Sequence, residues 1–194
     1  SLKHMINYFD IKIMCGTPTI FNQLSKLHRG NEADQHIKTI ALSGECLTKE
    51  VAKNIRRVFP NANIYNVYGL TENSPRVSFL APEYFDLVPE SVGKPLRNTI
   101  IRVVDNGQND VETGIIGNVI IKSESIMMGY YKDDQATSNK IRQGYLWTGD
   151  IGYKDSDNNL YVLGRADDMI IKAGLNIYPK EVEDIVLKCE FIEE

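Results

Sequence analysis

The first half of the chain alternates between strand-like apolar runs and segments in which apolar residues recur at helical spacing. Short apolar runs at 11–15, 37–42 and 63–67 are each followed by a polar or glycine-containing turn. Between these runs, helical spacing begins after Pro18 and after Thr48, two residues that favour helix starts. This order of strands and helices predicts an α/β fold in which helices flank a parallel sheet.

The second half of the chain changes to a β pattern. Residues 81–98 are rich in proline and predict an irregular connector, whereas 99–104 and 117–122 predict strands. The Asp- and Asn-rich run at 154–159 is typical of the tip of a hairpin. We therefore expect a small, mostly β subdomain at 91–164.

The last part of the chain predicts a further unit. A strand at 169–172 is followed by a turn at 173–176 and by a helix that begins at Pro179. Nothing in the sequence covers the apolar stripe of that helix, so we interpret this region as the beginning of a truncated α+β domain. The predicted divisions are an α/β part at 1–90, the β-rich subdomain at 91–164, a hinge at 165–168 and the truncated domain at 169–194.

Composition and charge exclude several classes of protein. The 194 residues include 26 acidic and 22 basic side chains, and 42% of the residues are hydrophobic. This balance is typical of a soluble globular protein and argues against a disordered chain or a nucleic-acid binder with a basic field. No apolar run is long enough to cross a bilayer, and nothing resembles a signal peptide. The three scattered cysteines favour the reducing cytoplasm over a disulfide framework.

Two polar turns follow predicted strands, at the sheet edge where open α/β folds bind ligands. The first turn comprises residues 43–45, and the second comprises residues 68–72. In the second turn, an aromatic ring, a glycine, the Thr71 hydroxyl and the Glu72 carboxylate suit a planar base, a phosphate oxygen and a hard divalent cation. The same residues also fit two ordinary capped turns that lead into helices.

Two further segments carry polar groups that a packed core does not need. Residues 148–150, Thr-Gly-Asp, are expected at the end of a strand at 146–148, with another strand at 151–153. The Asp150 carboxylate can accept two hydrogen bonds from a vicinal diol such as a ribose, although the segment also fits a plain turn. Arg165 can bind a phosphate or a hydroxyl, or it can form a solvated salt bridge in a surface linker.

The order of these segments resembles that in the adenylate-forming superfamily of acyl- and aryl-CoA synthetases, peptide synthetase adenylation domains and luciferases. Six segments match the motifs of the superfamily in the correct order and cover nearly the whole chain. They are Tyr68-Gly69-Leu70-Thr71-Glu72, Ser91-Val92-Gly93-Lys94-Pro95-Leu96, 117–131, Trp147-Thr148-Gly149-Asp150, Gly164-Arg165-Ala166-Asp167 and 171–183. The chain departs from the pattern at Asn118, where glutamate is usual.

The resemblance implies a site for ATP and AMP. It implies that Glu72 binds Mg²⁺ and that Thr71 contacts the α-phosphate, so both act directly in catalysis. It also implies that Asp150 holds the ribose hydroxyls with assistance from Arg165. The other residues implied around the nucleotide are Ser43, Gly44, Glu45, Asn66, Tyr68 and Gly69.

The resemblance also implies a domain that rotates between two half-reactions. Asp167 is then the hinge, and Lys172 and Gly174 belong to the loop that approaches the acceptor thiol. The implied substrates are a carboxylic acid, ATP, and CoA or phosphopantetheine on a carrier protein. Within the superfamily, the sequence at 176–183 and the leucine at position 70 favour an AMP-forming acyl-CoA synthetase.

Two alternatives to a CoA ligase stay open on the sequence alone. One is an adenylation domain of a nonribosomal peptide synthetase, and the other is a non-catalytic nucleotide-binding or scaffold module. The phosphate-binding loop of the superfamily is expected upstream of residue 1, and its second catalytic lysine downstream of Glu194. We therefore expect the 194-residue chain alone to be inactive, although the parent protein forms the adenylate. The acid substrate is not specified.

Overall fold

A computed structural model describes residues 2–27, 36–172 and 175–186 of the chain, which folds into two compact units. Unit 1 comprises the described residues up to Gly69 together with Arg76–Lys94. Unit 2 comprises Leu70–Pro75 and the described residues from Pro95 onward. Segment 70–75 therefore belongs to unit 2, although it interrupts unit 1 in the sequence. The domain limits and the hinge stay predictions.

Unit 1 is a mixed five-stranded sheet with helices between its first strands. The first three strands pair in parallel, as predicted, with Ile40 opposite both Met14 and Ile64. The order of the strands in the sheet follows the chain from the first to the fifth. The elements are α1 (Leu2–Tyr8), β1 (Ile13–Gly16), α2 (Pro18–Leu27), β2 (Thr39–Ser43), α3 (Lys49–Val58), β3 (Asn63–Tyr68), β4 (Ser78–Leu80) and β5 (Lys94–Pro95).

The fourth strand was not predicted from the sequence. β4 runs antiparallel to β3, with Tyr68 opposite Ser78 and Asn66 opposite Leu80. It has only three residues, too few for an apolar period to be recognised. The predicted parallel sheet is therefore extended by one antiparallel strand, which pairs with β3.

A buried apolar cluster holds the helices of unit 1 against its sheet. Ile40 and Leu42 of β2 and Ile64 of β3 are fully buried in this cluster. Phe21 of α2 and Ile55 of α3 lie in the same cluster and are equally buried. The strands alternate buried and more exposed positions, so the hydrophobic effect fixes which sheet face the helices cover.

Unit 2 is mainly antiparallel β structure, as predicted. Its main sheet has four strands, and the neighbours in this sheet are, in order, Leu160–Arg165, Tyr145–Lys154, Gly117–Lys122 and Ile100–Val104. A short strand at Ile141–Arg142 pairs with the second of these, and Ile170–Lys172 and Leu175–Ile177 form a separate hairpin. None of the helices in the described part of the chain is long and apolar enough to cross a membrane. The elements are β6 (Ile100–Val104), β7 (Gly117–Lys122), α4 (Asp134–Lys140), β8 (Ile141–Arg142), β9 (Tyr145–Lys154), β10 (Leu160–Arg165), β11 (Ile170–Lys172), β12 (Leu175–Ile177) and α5 (Pro179–Val186).

Two sequence predictions for unit 2 are corrected, and two elements are additional to them. The strands expected at 146–148 and 151–153 are one continuous strand, β9, because its pairing with β7 and β10 resumes beyond the glycine between them. The helix α4 and the strand β8 were not predicted. The turn expected at 173–176 is shorter, since β12 begins at Leu175, while residues 173 and 174 lie outside the described residues.

Thr48 begins α3 in the way that the sequence predicts. Its backbone is extended, and its hydroxyl accepts a hydrogen bond from the backbone N–H of Val51 at 3.2 Å. That N–H is one of the donors that the first turn of a helix leaves without an intrahelical acceptor. The cap therefore fixes the residue at which the chain leaves the polar turn after β2 and becomes helical.

We expect Thr48→Ala to lower the free energy of unfolding by about 1 kcal/mol, because the Val51 N–H loses its acceptor. Chemical unfolding measured beside Thr113→Ala checks this, since Thr113 is exposed and outside any helix. The control change is expected to cost less than about 0.5 kcal/mol. Equal losses in the two variants would contradict the role of the cap.

Candidate functional site

In unit 1, the carboxyl ends of β1, β2 and β3 lie at one edge of the sheet, because the three strands are parallel. Residues 43–45 leave this edge after β2, are exposed, and include Gly44 at φ 92°. The Glu45 carboxylate accepts hydrogen bonds from the Thr19 N–H at 3.1 Å and from the Thr19 hydroxyl at 2.6 Å. These bonds join the first turn of α2 to the turn that follows β2.

The hydrogen bonds from Thr19, together with one from Thr17, favour the ionised form of Glu45. Partial burial of the carboxyl acts to raise its pKa, but hydrogen bonds from Thr19 and Thr17 outweigh it. The pKa of Glu45 therefore lies below its ordinary value, and the side chain is a carboxylate at neutral pH. Its charge is held at the edge of the sheet beside the exposed turn.

Two predicted nucleotide residues on β3 are buried. Asn66 is 1% exposed, and its amide nitrogen donates to the carbonyl oxygens of Pro89 at 3.1 Å and Ser91 at 2.9 Å. Tyr68 is also buried, and Gly69 follows it half-buried. The Asn66 amide thus holds the segment before β5 against β3, and the nucleotide roles of these three residues stay predictions.

In unit 2, Glu72 lies on a short 3₁₀ turn that is fixed by hydrogen bonds from the segment after β7. The N–H of Met127 donates to the Glu72 carbonyl at 2.8 Å. The hydroxyl of Ser123 donates to Asn73 Oδ1 at 2.5 Å. The phenol of Tyr130 donates to Glu72 Oε1 at 2.7 Å. Both the backbone and the side chain of Glu72 are therefore fixed by residues that are distant in the sequence.

The Glu72 carboxyl has a pKa below its ordinary value. The hydrogen bond from Tyr130 is the main cause, partial burial opposes it, and the positive charges of Lys140 and Arg165 add to the lowering. The same hydrogen bond raises the pKa of the Tyr130 phenol. Glu72 is therefore ionised at neutral pH and available to a cation.

Residues 148–150 form a bulge inside β9. Three residues of β9 face a single residue of β7, Val119, and Gly149 adopts a left-handed φ of 82°. The Thr148 hydroxyl donates to the Val119 carbonyl at 2.8 Å and accepts from the Asp150 N–H at 2.9 Å. The prediction that this segment ends a strand is wrong, because β9 continues beyond the bulge to Lys154.

Two cations hold the bulge. Arg165 Nη1 lies 3.2 Å from the Thr148 carbonyl oxygen and 3.3 Å from Asp150 Oδ1. Lys140 Nζ donates to the same Thr148 carbonyl at 3.2 Å. Asp150 is only 8% exposed, so its carboxylate pairs with Arg165 in partly buried surroundings. This pairing fixes the direction of the Asp150 side chain.

The structure therefore brings Glu72, Asp150 and Arg165 into one cluster of unit 2. Arg165 forms an ion pair with Asp150, and its charge also acts on Glu72. The sequence reasoning missed Tyr130 and Lys140. Tyr130 lies in a segment that matches the superfamily, but nothing in the segment indicates which carboxylate the phenol contacts. Lys140 ends a helix that was not predicted.

The other predicted residues of unit 2 are less enclosed. Thr71 is exposed at the beginning of the 3₁₀ turn, Asp167 is exposed after β10, and Lys172 is exposed at the end of β11. Gly174 lies outside the described residues. The roles predicted for these four residues stay predictions.

The donor groups of unit 2 fit a magnesium ion that is shared with a nucleotide. Within the described residues there is no group of three His, Cys, Asp or Glu side chains that could hold a metal by itself. Glu72 supplies one ionised carboxylate. Mg²⁺ in nucleotide sites is usually held by one or two carboxylates together with phosphate oxygens and water, which matches this set.

The comparison with known families agrees with the motifs. A family model described as "AMP-binding enzyme" matches residues 1–131, about two thirds of the chain. The chain belongs to this family. The resemblance to adenylate-forming enzymes that the six motifs indicated is thereby confirmed.

Curated relatives of this AMP-binding chain are acid–CoA ligases. It is 41% identical over 133 residues to the 2-succinylbenzoate–CoA ligase of Geobacillus sp. (strain WCH70), covering 68% of this chain and 26% of that protein. It is 32% identical over 186 residues to the long-chain-fatty-acid–CoA ligase of Salmonella typhimurium. That match covers 96% of this chain and 33% of the relative.

Solved structures of similar proteins have the same fold. The O-succinylbenzoate CoA synthetase of Bacillus subtilis in complex with AMP has a TM-score of 0.87 at 30% identity, covering 100% of this chain and 39% of that one. The same synthetase with ATP and magnesium ion has a TM-score of 0.83 at 29% identity, covering 96% and 38%. The AMP-binding chain thus spans less than two fifths of the length of these relatives.

Gly149 and Gly144 have similar left-handed φ values, 82° and 77°, but different surroundings. A Cβ on residue 149 would lie 3.0 Å from Arg165 Nη2 and 3.2 Å from Lys140 Nζ, whereas one on residue 144 meets nothing within 4 Å. We expect Gly149→Ala to lower the free energy of unfolding by about 1 kcal/mol more than Gly144→Ala, because the displaced cations lose hydrogen bonds to Thr148.

Chemical unfolding of the two variants measures this difference, and the matched backbone strain cancels in the comparison. Equal losses of unfolding free energy in the two variants would contradict this prediction. They would show that Arg165 and Lys140 keep their contacts when residue 149 has a side chain.

Proposed function

We propose that the protein containing this chain is an ATP-dependent acid–CoA ligase. It activates a carboxylic acid as the acyl-adenylate and then transfers the acyl group to CoA. The cluster of Glu72, Asp150 and Arg165 in unit 2 carries the proposal, because it combines a carboxylate for a cation with an oriented carboxylate for a diol. The CoA ligases among the relatives support the same reaction class.

In the proposed first half-reaction, an oxygen of the substrate carboxylate attacks the α-phosphorus of ATP. The bond from that phosphorus to the bridging oxygen breaks, and pyrophosphate leaves with the electron pair. Negative charge increases on the phosphate oxygens, so catalysis needs nearby cations and hydrogen-bond donors. Glu72 would hold Mg²⁺, which supplies charge neutralisation, and the exposed hydroxyl of Thr71 would donate to the α-phosphate.

The nucleoside contacts in this proposal are those that the resemblance to the superfamily implies. Asp150 would accept hydrogen bonds from the two ribose hydroxyls, and Arg165 orients its carboxylate. The remaining nucleotide contacts proposed are Ser43, Gly44, Glu45, Asn66, Tyr68 and Gly69. The exposure of residues 43–45 at the end of β2 supports their part, because an exposed turn can contact a base without displacing core side chains.

The proposed second half-reaction presents a thiol to the acyl-adenylate. The thiol sulfur attacks the acyl carbon, the bond from that carbon to the AMP oxygen breaks, and AMP leaves as the thiol proton is lost. A different set of residues is needed around the thiol, which supports rotation at Asp167. Lys172 and Gly174 would then belong to the approaching loop.

We propose CoA rather than a carrier-bound phosphopantetheine as the acceptor. The relatives that match most of this chain carry the name of CoA ligases, and the segment at 176–183 matches acyl-CoA synthetases. The proposed substrate class is carboxylic acids, since one relative is named for an aromatic acid and another for fatty acids.

We expect the 194-residue chain alone to support no ATP–pyrophosphate exchange above background, because it spans only 26% of the Geobacillus ligase and 39% of the Bacillus subtilis synthetase. The full-length protein should exchange pyrophosphate when the correct acid is present. The assay would use 2-succinylbenzoate and a long-chain fatty acid as probe acids in both samples. Exchange by the isolated chain at a rate comparable to the full-length protein would contradict this expectation.

A second prediction tests the ribose contact. Asp150→Ala in the full-length protein should weaken ATP binding by roughly 10- to 100-fold, the usual effect of losing hydrogen bonds to a charged group. Calorimetry with ATP and with its 2′-deoxy analogue measures this. The wild type should prefer ATP, and the variant should bind both nucleotides equally.

Asp157→Ala is the matched control, because it removes the same charge from an exposed hairpin turn of unit 2. It should leave both affinities unchanged. An Asp150→Ala protein that keeps the full preference for ATP over the deoxy analogue would rule out the proposed contact.

A further inference from the structure

The hydrogen bond between Tyr130 and Glu72 joins residues that are 58 positions apart, at the carboxylate proposed to bind Mg²⁺. None of the nucleotide contacts proposed above uses it. We propose that Tyr130 is a positioning residue: its phenol holds one carboxylate oxygen of Glu72 and leaves the other to the metal. This inference rests on the proposed function, in which Glu72 is the metal ligand.

The position of Tyr130 is fixed by hydrogen bonds to residues at the start of α4. Its N–H donates to the Thr137 hydroxyl at 2.8 Å, and that hydroxyl donates to the Asp133 carbonyl at 2.8 Å. The Asp133 carboxylate accepts from the N–H of Ala136 at 2.8 Å and so caps α4. Tyr130 is therefore tied to the first turns of a helix.

Gly129 makes this connection possible. A Cβ on residue 129 would lie 2.8 Å from Thr137 Oγ1 and 2.9 Å from Thr137 Cγ2, closer than side chains pack. The absence of a side chain lets Thr137 approach the backbone and accept from the next residue, Tyr130. The close packing of Thr137 thus explains why a glycine precedes Tyr130 in this segment.

The segment that contains Tyr130 restrains both parts of Glu72. The Met127 N–H holds the Glu72 carbonyl at 2.8 Å, and the Tyr130 phenol holds its carboxylate at 2.7 Å. Among the residues that the structure describes, no other side chain donates a hydrogen bond to this carboxylate. Without the phenol, the carboxylate would keep only its hydrogen bond from the Glu72 backbone and its packing contacts.

Nearby positive charges explain why the Glu72 carboxylate needs to be held in one direction. The positive charges of Lys140 and Arg165 both act on Glu72, while Arg165 already pairs with Asp150. Both charges attract the Glu72 carboxylate, so a restraint on its direction keeps one oxygen free of them for a metal. Tyr130 is neutral, so it can fix the carboxylate without neutralising the charge that a metal needs.

The test compares Tyr130→Phe with Tyr131→Phe in the full-length protein, since Tyr131 is the adjacent and 88% exposed tyrosine. Calorimetry gives the affinity for ATP in saturating Mg²⁺ and in EDTA, and the ratio of the two affinities is the magnesium gain. We expect Tyr130→Phe to reduce the gain about tenfold and to leave binding in EDTA unchanged, as loss of a residue behind a metal ligand does. Tyr131→Phe should keep the wild-type gain.

A double-mutant cycle identifies the residue through which Tyr130 acts. Glu72→Gln should abolish the magnesium gain, and adding Tyr130→Phe to it should cause no further loss. In pyrophosphate exchange, Tyr130→Phe should raise the Mg²⁺ concentration for half-maximal rate and leave the KM of the acid unchanged. If Tyr130→Phe strongly lowers the melting temperature, Thr137→Ala replaces it in the test. Thr137→Ala removes the hydroxyl that holds the Tyr130 backbone but keeps the phenol. Thr137→Ser keeps a hydroxyl and should therefore restore the magnesium gain.

The outcomes separate the two proposals. A wild-type protein without ATP affinity or without a magnesium gain would overturn the proposed function and this inference together. A wild-type gain that is lost in Glu72→Gln but kept in Tyr130→Phe would overturn the role of Tyr130 alone. Equal losses of ATP affinity with and without Mg²⁺ would also overturn it, because they indicate a general structural role.

Discussion

The contact of Arg165 with the bulge of β9 is the interaction on which the rest of the candidate site depends. Arg165 meets the Thr148 carbonyl and the Asp150 carboxylate only because Gly149 between them has no side chain and a left-handed backbone. This one contact orients the proposed ribose ligand, holds the bulge inside a continuous strand, and places a positive charge near Glu72.

The strands and helices that the sequence predicted correctly are those with both a periodic apolar pattern and a clear end. β2, β3 and α3 are examples, because their buried positions alternate or recur and Thr48 marks where the helix begins. β4 has too few residues to show a period. The sequence predicts two strands where β9 runs, because a glycine within a polar trio is more often a turn. Pairing with strands on both sides continues β9 through this glycine.

The candidate site was predictable as far as its residues lie in recognisable motifs. Glu72, Asp150 and Arg165 were found in this way, and the structure brings them together. Tyr130 and Lys140 were not found, because their importance comes from contacts with residues that are distant in the sequence. No spacing rule relates a tyrosine after one strand to a carboxylate 58 residues earlier.

Because segment 70–75 belongs to unit 2, the structure limits where recombination between related genes can preserve the contacts of Glu72. The chain passes from one unit to the other at Gly69, at Pro75 and again at Lys94. A recombination event after Lys94 would keep Glu72 but separate it from the ancestral Met127 and Tyr130 that hold it. The stretch of gene from the glutamate to the tyrosine is therefore expected to be inherited as a single block.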